Sequence, residues 1–297
     1  MTDEPSSGRK RSLIEGVLAG TFFSAAAILI RLLEDVDVFS IASWRLVIAF
    51  VVLTAALFFF RKPFRFNMLK SNFAQVLPLG LLLGFHFVLF ASAVKDTTII
   101  NATVLVNTTP IWSLLVSVLL FSVKPSRLAV MGLIVSFLGV TIIACADVAS
   151  LTFGLNLRGD LEAVFAAVAE AFYLSYGRDI RRRVPILSLM LFIYMLSALT
   201  VLVASVVMKA APVTFTLSLE SVLILVVLGI LPTTLAHTLY FSSLSSLKSF
   251  ETAALALIEP IAATLLGVLI FAELPSALFV LGAALVLGGI ISVALSR

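Results

Sequence analysis

The chain has 297 residues, of which 61% are hydrophobic and only 12% charged, with a formal net charge of +4 and a mean hydropathy of +1.19. So few charges cannot cover so much apolar surface in water, which excludes an ordinary soluble domain and places the chain in a lipid bilayer. The single cysteine, Cys145, excludes a disulfide framework and a thiolate metal site, and no nucleic-acid partner is expected, because the basic residues lie between apolar runs as membrane topology places them.

Residues 1–12 are polar, end in Arg9, Lys10 and Arg11, and read as a short disordered cytoplasmic tail. Ten apolar runs follow, at 13–33, 39–60, 72–94, 98–121, 127–146, 158–178, 185–208, 219–243, 249–271 and 276–296. Each is long enough to cross a hydrocarbon core of ~30 Å as a helix, and none alternates as a barrel strand would. The first run lacks a small-residue cleavage site, so no signal peptide is expected. With the N-terminus inside, the inner segments hold Arg9, Lys10 and Arg11; Arg61, Lys62, Arg65 and Lys70; Lys124 and Arg127; Arg178, Arg181, Arg182 and Arg183; Lys248; and Arg297. The outer segments hold Arg31, Lys95, Arg158 and Lys209. The asymmetry predicts a multi-pass protein of the cell's inner (plasma) membrane with both termini cytoplasmic.

One pattern occurs twice. Pro110, Phe121, Pro125, Ser126, Gly132 and Gly139 recur, without a gap, as Pro260, Phe271, Pro275, Ser276, Gly282 and Gly289. Apolar membrane sequence matches at Leu or Val by chance, but proline and glycine each impose a backbone condition, so their fixed spacing signals duplication. The expected fold is all-α, with ten transmembrane helices as a 5+5 inverted-topology repeat. A cytoplasmic tail (1–12) precedes a first five-helix repeat (13–146), an outer linker (147–157) and a second repeat (158–297). An odd number of spans per half forces the second copy to enter the membrane upside down. Inverted repeats of this kind characterise transporters that expose one midplane site alternately to each side.

The stretches "HFVLFASAVKDTTIINATVLVNTTPIWSLLVSVLLF" and "LPTTLAHTLYFSSLSSLKSFETAALALIEPIAATLLGVLIFAELPS" resemble the EamA-type repeat of the drug/metabolite transporter superfamily. The resemblance covers nearly all of 13–296 and is clearest at Trp44-Arg45, Pro110, Glu259-Pro260 and Glu273. It implies a central cavity and export or exchange of small metabolites, from amino acids and sugars to nucleotide sugars and organic cations. The family often closes the fourth span with a glutamate, as Glu273 closes the ninth. Ser122-Val123-Lys124 stands there instead, so the two ends are not equivalent.

Several residues carry candidate chemistry. Pro110 and Pro260 lie midway along the fourth and ninth spans. Each frees a carbonyl four residues earlier, at Val106 and Ala256, and either opens a polar notch or makes a structural bend that neighbours repair. Glu259 falls near the bilayer centre, where a carboxylate costs at least a few kcal/mol unless it faces a cavity or a partner. It is a candidate for exchanging protons; the alternative is a carboxylate held by a nearby hydroxyl or by the carbonyl freed at the kink. Glu170, Tyr173 and Tyr176 share one face of the sixth span, as a strip for a cationic or aromatic ligand or as packing with one polar anchor. His86 and His237 are too few for a metal site. A protonation switch is open to them, and neutral histidines hydrogen-bonded between helices are the preferred reading. Tyr240, in the span of His237, joins the cavity candidates.

Asn101, Asn107, Thr108 and Thr109 make the fourth span unusually polar, either as helix glue or as a pathway beside Pro110. Trp112 is a stacking wall or, preferably, a packed side chain. Arg45 is expected a turn or two below the outer surface, preferably as an outer anchor or gate that reaches outward or pairs with Glu34, Asp35 or Asp37, with ligand contact as the alternative. Gly16/Gly20 and Gly80/Gly84 permit close helix packing.

These features favour a secondary transporter of a small amino acid, amine or drug-like molecule, with protons as a further candidate cargo. No nucleotide-binding loop and no cofactor motif is visible, and neither is an HExxH helix nor a GxSxG elbow that an intramembrane enzyme would use. A sensor or scaffold would need a larger soluble output domain. A passive channel and a homodimer both remain compatible with the sequence.

Overall fold

The structure, a computed structural model, describes residues 4–145, 156–208, 213–214, 216–263, 265 and 277–296. Its helices are α1 (Glu4–Phe23), α2 (Ala26–Leu32), α3 (Val38–Phe59), α4 (Phe66–Ser71), α5 (Phe73–Asp96), α6 (Ile99–Val106), α7 (Thr109–Phe121), α8 (Arg127–Cys145), α9 (Leu157–Arg181), α10 (Ile186–Val207), α11 (Leu219–Leu228), a π-helical segment (Gly229–Ala236), α12 (His237–Ser243), α13 (Ser249–Ala256) and α14 (Ala277–Leu295). Among the described residues there is no strand, as a backbone that lipid cannot solvate requires.

Seven helical stretches among the described residues are long and apolar enough to cross a membrane: 8–32, 38–59, 73–96, 99–121, 186–207, 219–243 and 277–295. Of the other three expected spans, the fifth is α8, with a shorter apolar stretch of 127–143, and the sixth is α9, which carries several charges. The ninth begins as α13 and runs beyond the described residues, where Glu273, Phe271, Pro275 and Ser276 also lie. The outer linker likewise lies almost wholly outside them.

The chain's entry differs from expectation. Residues 4–12 belong to helix α1 rather than to a disordered tail. Arg9 explains why. Its guanidinium pairs with Glu251 at 3.3 Å and donates to the carbonyls of Ala294 and Ser296 at 3.0 and 3.1 Å. Ser12 adds a hydroxyl contact to Ser245. A polar segment that finds a buried carboxylate and two free helix-end carbonyls has reason to order.

Helix α5 packs along α9 and α10, α3 along α10, and α7 against α9 and α13. The Gly80/Gly84 face lies on Leu196 and Ser197 of α10, and the Gly16/Gly20 face lies on Leu255 at the end of α13. The repeated glycines meet one another. A Cβ on Gly139 would sit 2.6 Å from the carbonyl oxygen of Gly282, and one on Gly282 would sit 2.7 Å from that of Gly139. Gly132 and Gly289 make the same reciprocal approach, so α8 and α14 run antiparallel. Between these contacts, Ser136 Oγ donates to the carbonyl of Val286, its counterpart 150 positions on.

Candidate functional site

Four of the apolar stretches are interrupted at mid-depth, and the interruptions make the site. In the fourth span, Pro110 withholds an N–H from the carbonyl of Val106. The helix stops at Val106 and restarts at Thr109. Thr109 Oγ1 caps the freed Val106 carbonyl at 2.8 Å, while Thr108 Oγ1 and Asn107 Nδ2 add second bonds, at 2.6 and 2.8 Å, to the Leu105 and Thr103 carbonyls that backbone N–H groups already reach. The polar run at 107–109 thus repairs the proline break. In the ninth span the corresponding break falls at Leu257–Ile258, just before Glu259 and Pro260. In the eighth, Pro232 frees the carbonyl of Leu228, which Thr233 Oγ1 caps at 2.7 Å. Thr234 Oγ1 caps Gly229 O at 2.7 Å, and the helix widens into its π-helical segment. The first span breaks at Ser24–Ala25.

Between these breaks lies a narrow, partly open cavity of about 40 Å³. Of the residues singled out from the sequence, Arg45, His86, Asn107, Pro110, Glu170, His237, Tyr240 and Glu259 line it. Phe23 and Phe90 supply apolar wall. The polar members divide into two groups. At one pole Arg45 stands near His237, and the rings of His237 and His86 are 5.9 Å apart. At the other, Glu170 and Glu259 are close enough to interact, and Asn107 hydrogen-bonds to Glu259. Thr109 Oγ1 is 3.0 Å from Glu170 Oε2, so its one proton is shared between that carboxylate and the Val106 carbonyl.

Arg45 corrects the outer-anchor expectation. It is 1% exposed and does not reach Glu34, Asp35 or Asp37. Asp37 instead caps α3 through the backbone N–H of Ser40. Arg45 Nε donates to Thr233 Oγ1 at 2.9 Å, and its Cζ lies 3.9 Å from the centre of the Phe87 ring, a cation–π seat. Thr233 is available because Pro232 has unwound the eighth span. His86 Nδ1 is 3.0 Å from the carbonyl of Ala166 and therefore donates to it. The His237 ring is boxed by Phe23 and Phe87, each 4.8 Å away between centroids.

Among the described residues, three polar atoms on this wall are buried without a hydrogen-bond partner: Arg45 Nη1, His237 Nδ1 and Tyr240 Oη. Buried polar atoms are normally satisfied, so such a concentration in one cavity points to a ligand.

Five candidates do not line the cavity. Tyr173 points away from Glu170 into the core, its hydroxyl 3.6 Å from Met190 Sδ and its ring against Phe241. Tyr176 is exposed on the outside of the bundle. Trp112 is half-buried and donates to Thr108 Oγ1 at 3.1 Å, and Pro260 is likewise outside the lining. Asn101 serves elsewhere, donating to Asp160 Oδ1 at 3.2 Å in a clasp that Thr97 completes at 2.8 Å. Sequence reasoning missed Thr233 and Glu251. The signal for the first was Pro232 followed by two threonines. For the second no local signal existed: Glu251 accepts from the backbone N–H of Lys248 at 2.8 Å, but the lysine side chain has no acceptor to complete a capping box. Among the described residues no three His, Cys, Asp or Glu side chains gather as a metal would require.

The sequence profile of the EamA-like transporter family matches residues 11–145 and again 157–295. An uncharacterized transporter from Archaeoglobus fulgidus is 24% identical over 262 residues, 87% of this chain and 88% of that one. A protein known from its crystal structure superposes with a TM-score of 0.78 at 22% identity, covering 95% of both chains, which is a likeness of fold. A profile that spans nearly the whole chain in two successive copies leaves no room for another assignment: this multi-pass membrane protein belongs to the EamA-like transporter family.

Proposed function

We propose that the protein is a secondary transporter that exports or exchanges a small zwitterionic metabolite, of the amino-acid or amino-carboxylate kind, by alternating access. The two halves, 13–146 and 158–297, would be inverted five-helix repeats of a ten-span bundle with both termini cytoplasmic. The antiparallel, reciprocal contact of α8 with α14 supports that reading.

The observation that carries the substrate class is the set of unpartnered polar atoms on the wall of a two-poled cavity. Among the described residues Arg45 Nη1 and His237 Nδ1 have no partner at one end, and Tyr240 Oη, also without one, lies by Glu170 and Glu259 at the other. A carboxylate on the ligand would satisfy the guanidinium, and an ammonium would lie between the two glutamates. The aromatic side chains around them would add cation–π attraction. A neutral sugar would leave both poles uncompensated. Glu259 is also the natural proton carrier if transport is proton-coupled, because the ammonium and a proton would compete for one carboxylate pair.

The test is a stabilisation screen of the purified protein with amino acids, amines, nucleosides and sugars. A ligand that binds only the native state raises the melting temperature. Amino acids should raise it, and Glu170→Gln or Glu259→Gln should remove the rise. A response confined to sugars or nucleosides would overturn the substrate class. For coupling, uptake into sealed vesicles should follow an imposed pH gradient and lose that dependence in Glu259→Gln.

A further inference from the structure

A second cavity lies between the ends of α7, α9 and α13, lined by Ser117, Ser175, Ser249, Arg178, Arg182 and Lys248. It has a volume of about 130 Å³ and sits on the side of the bundle where the sequence places the inner segments. Its floor is hydroxylic. Ser249 Oγ is 2.7 Å from Ser117 Oγ and 3.1 Å from Ser175 Oγ, and Ser175 is 3.5 Å from Ser113. All four serines are buried. Its walls are cationic: Arg178 stands in the last turn of α9, Arg182 at its C-cap, and Lys248 at the N-cap of α13.

Among the described residues these cations form no ion pair, although Glu251 lies near enough to Arg178 to favour its charge. Arg178 Nε donates to the backbone carbonyl of Leu247 at 3.0 Å. Among the described residues, no ion pair forms with Arg182 or Lys248. The carboxylate on the rim, Asp179, is already engaged by Arg183. Like charges one turn apart repel, and a hydroxyl floor offers donors that need an acceptor. We propose that this cavity is an anion-binding site for a phosphate or carboxylate group, separate from the central cavity. The guanidinium groups and the Lys248 ammonium would hold the anion's charge, and Ser117 and Ser249 would turn their protons to its oxygens. The group could come from a free metabolite or from an anionic lipid headgroup.

The probes are inorganic phosphate and phosphatidylglycerol, tested on the full chain in nanodiscs. In neutral phosphatidylcholine discs, phosphate at constant ionic strength should raise the melting temperature saturably. The apparent affinity should fall at least tenfold in Arg182→Gln/Lys248→Gln and stay unchanged in Lys62→Gln/Arg65→Gln. That result identifies a soluble anion. In discs containing phosphatidylglycerol, native mass spectrometry should otherwise find a retained lipid in the wild type that the first double variant loses, which identifies a headgroup. If neither phosphate response nor lipid retention differs between wild type and that variant, the proposal is overturned. Should the double variant fail to fold, Arg182→Gln, whose side chain is exposed, carries the same comparison.

Discussion

Arg45 is anchored at Nε and unpartnered at Nη1. Its orientation depends on Thr233, whose hydroxyl links the guanidinium to the carbonyl of Leu228. Thr233→Val therefore removes the hydrogen bond that, among the described residues, anchors this buried cation. It should cost about 1–3 kcal/mol, read as a lower melting temperature, with no new cavity to share the blame. Arg45→Gln probes binding instead. A charge-assisted hydrogen bond is worth about 1.5–3 kcal/mol, so carboxylate-bearing ligands should bind roughly tenfold or more weakly. Amines without a carboxylate should be little affected. Equal losses for both would show that Arg45 acts through shape rather than charge.

At the scale of elements, the informative residues are those that stop helices. Pro110 and Pro260 are legible because proline states its effect wherever it stands, and Glu259 because a carboxylate at midspan needs an explanation. The directions of side chains are less legible. Glu170 and Tyr173 share a helical face in any wheel, yet a three-residue step is a 300° turn, and the 60° shortfall is enough to send one into the cavity and the other against Met190 and Phe241. Arg45 misled for a related reason. Acidic residues 34–37 lie close in sequence, whereas its partner Thr233 is 188 positions away, and nothing local announces which span will be a neighbour. Pro110→Ala tests whether the joint between α6 and α7 matters for motion. It returns an N–H to the Val106 carbonyl, so the folded protein should be no less stable, and its transport turnover should fall severalfold. Unchanged turnover would reduce the joint to a bend.

For the whole molecule, the arrangement of the ends sets two expectations. Glu251 accepts from Arg9 and from the backbone N–H of Lys248, joining the first helix, α13 and the C-terminal carbonyls. Glu251→Gln should lower stability by about 1–3 kcal/mol, since it takes the charge from a buried partner while Arg9 can still reach water. Reporter fusions after residues 65, 124 and 182 should all report the cytoplasmic side. A fusion at 182 reporting the outside would remove the inverted repeat. The glycine seam between α8 and α14 sits apart from both cavities and leaves no space for a side chain, so Gly139→Val should lower the melting temperature by several degrees. The seam has one more implication, for ancestry. A primitive chain carrying a single half could build such a reciprocal antiparallel contact only by inserting some copies one way up and others the reverse. Fusing two halves into one reading frame removes that demand, because each can then evolve its own basic loops and keep a single orientation.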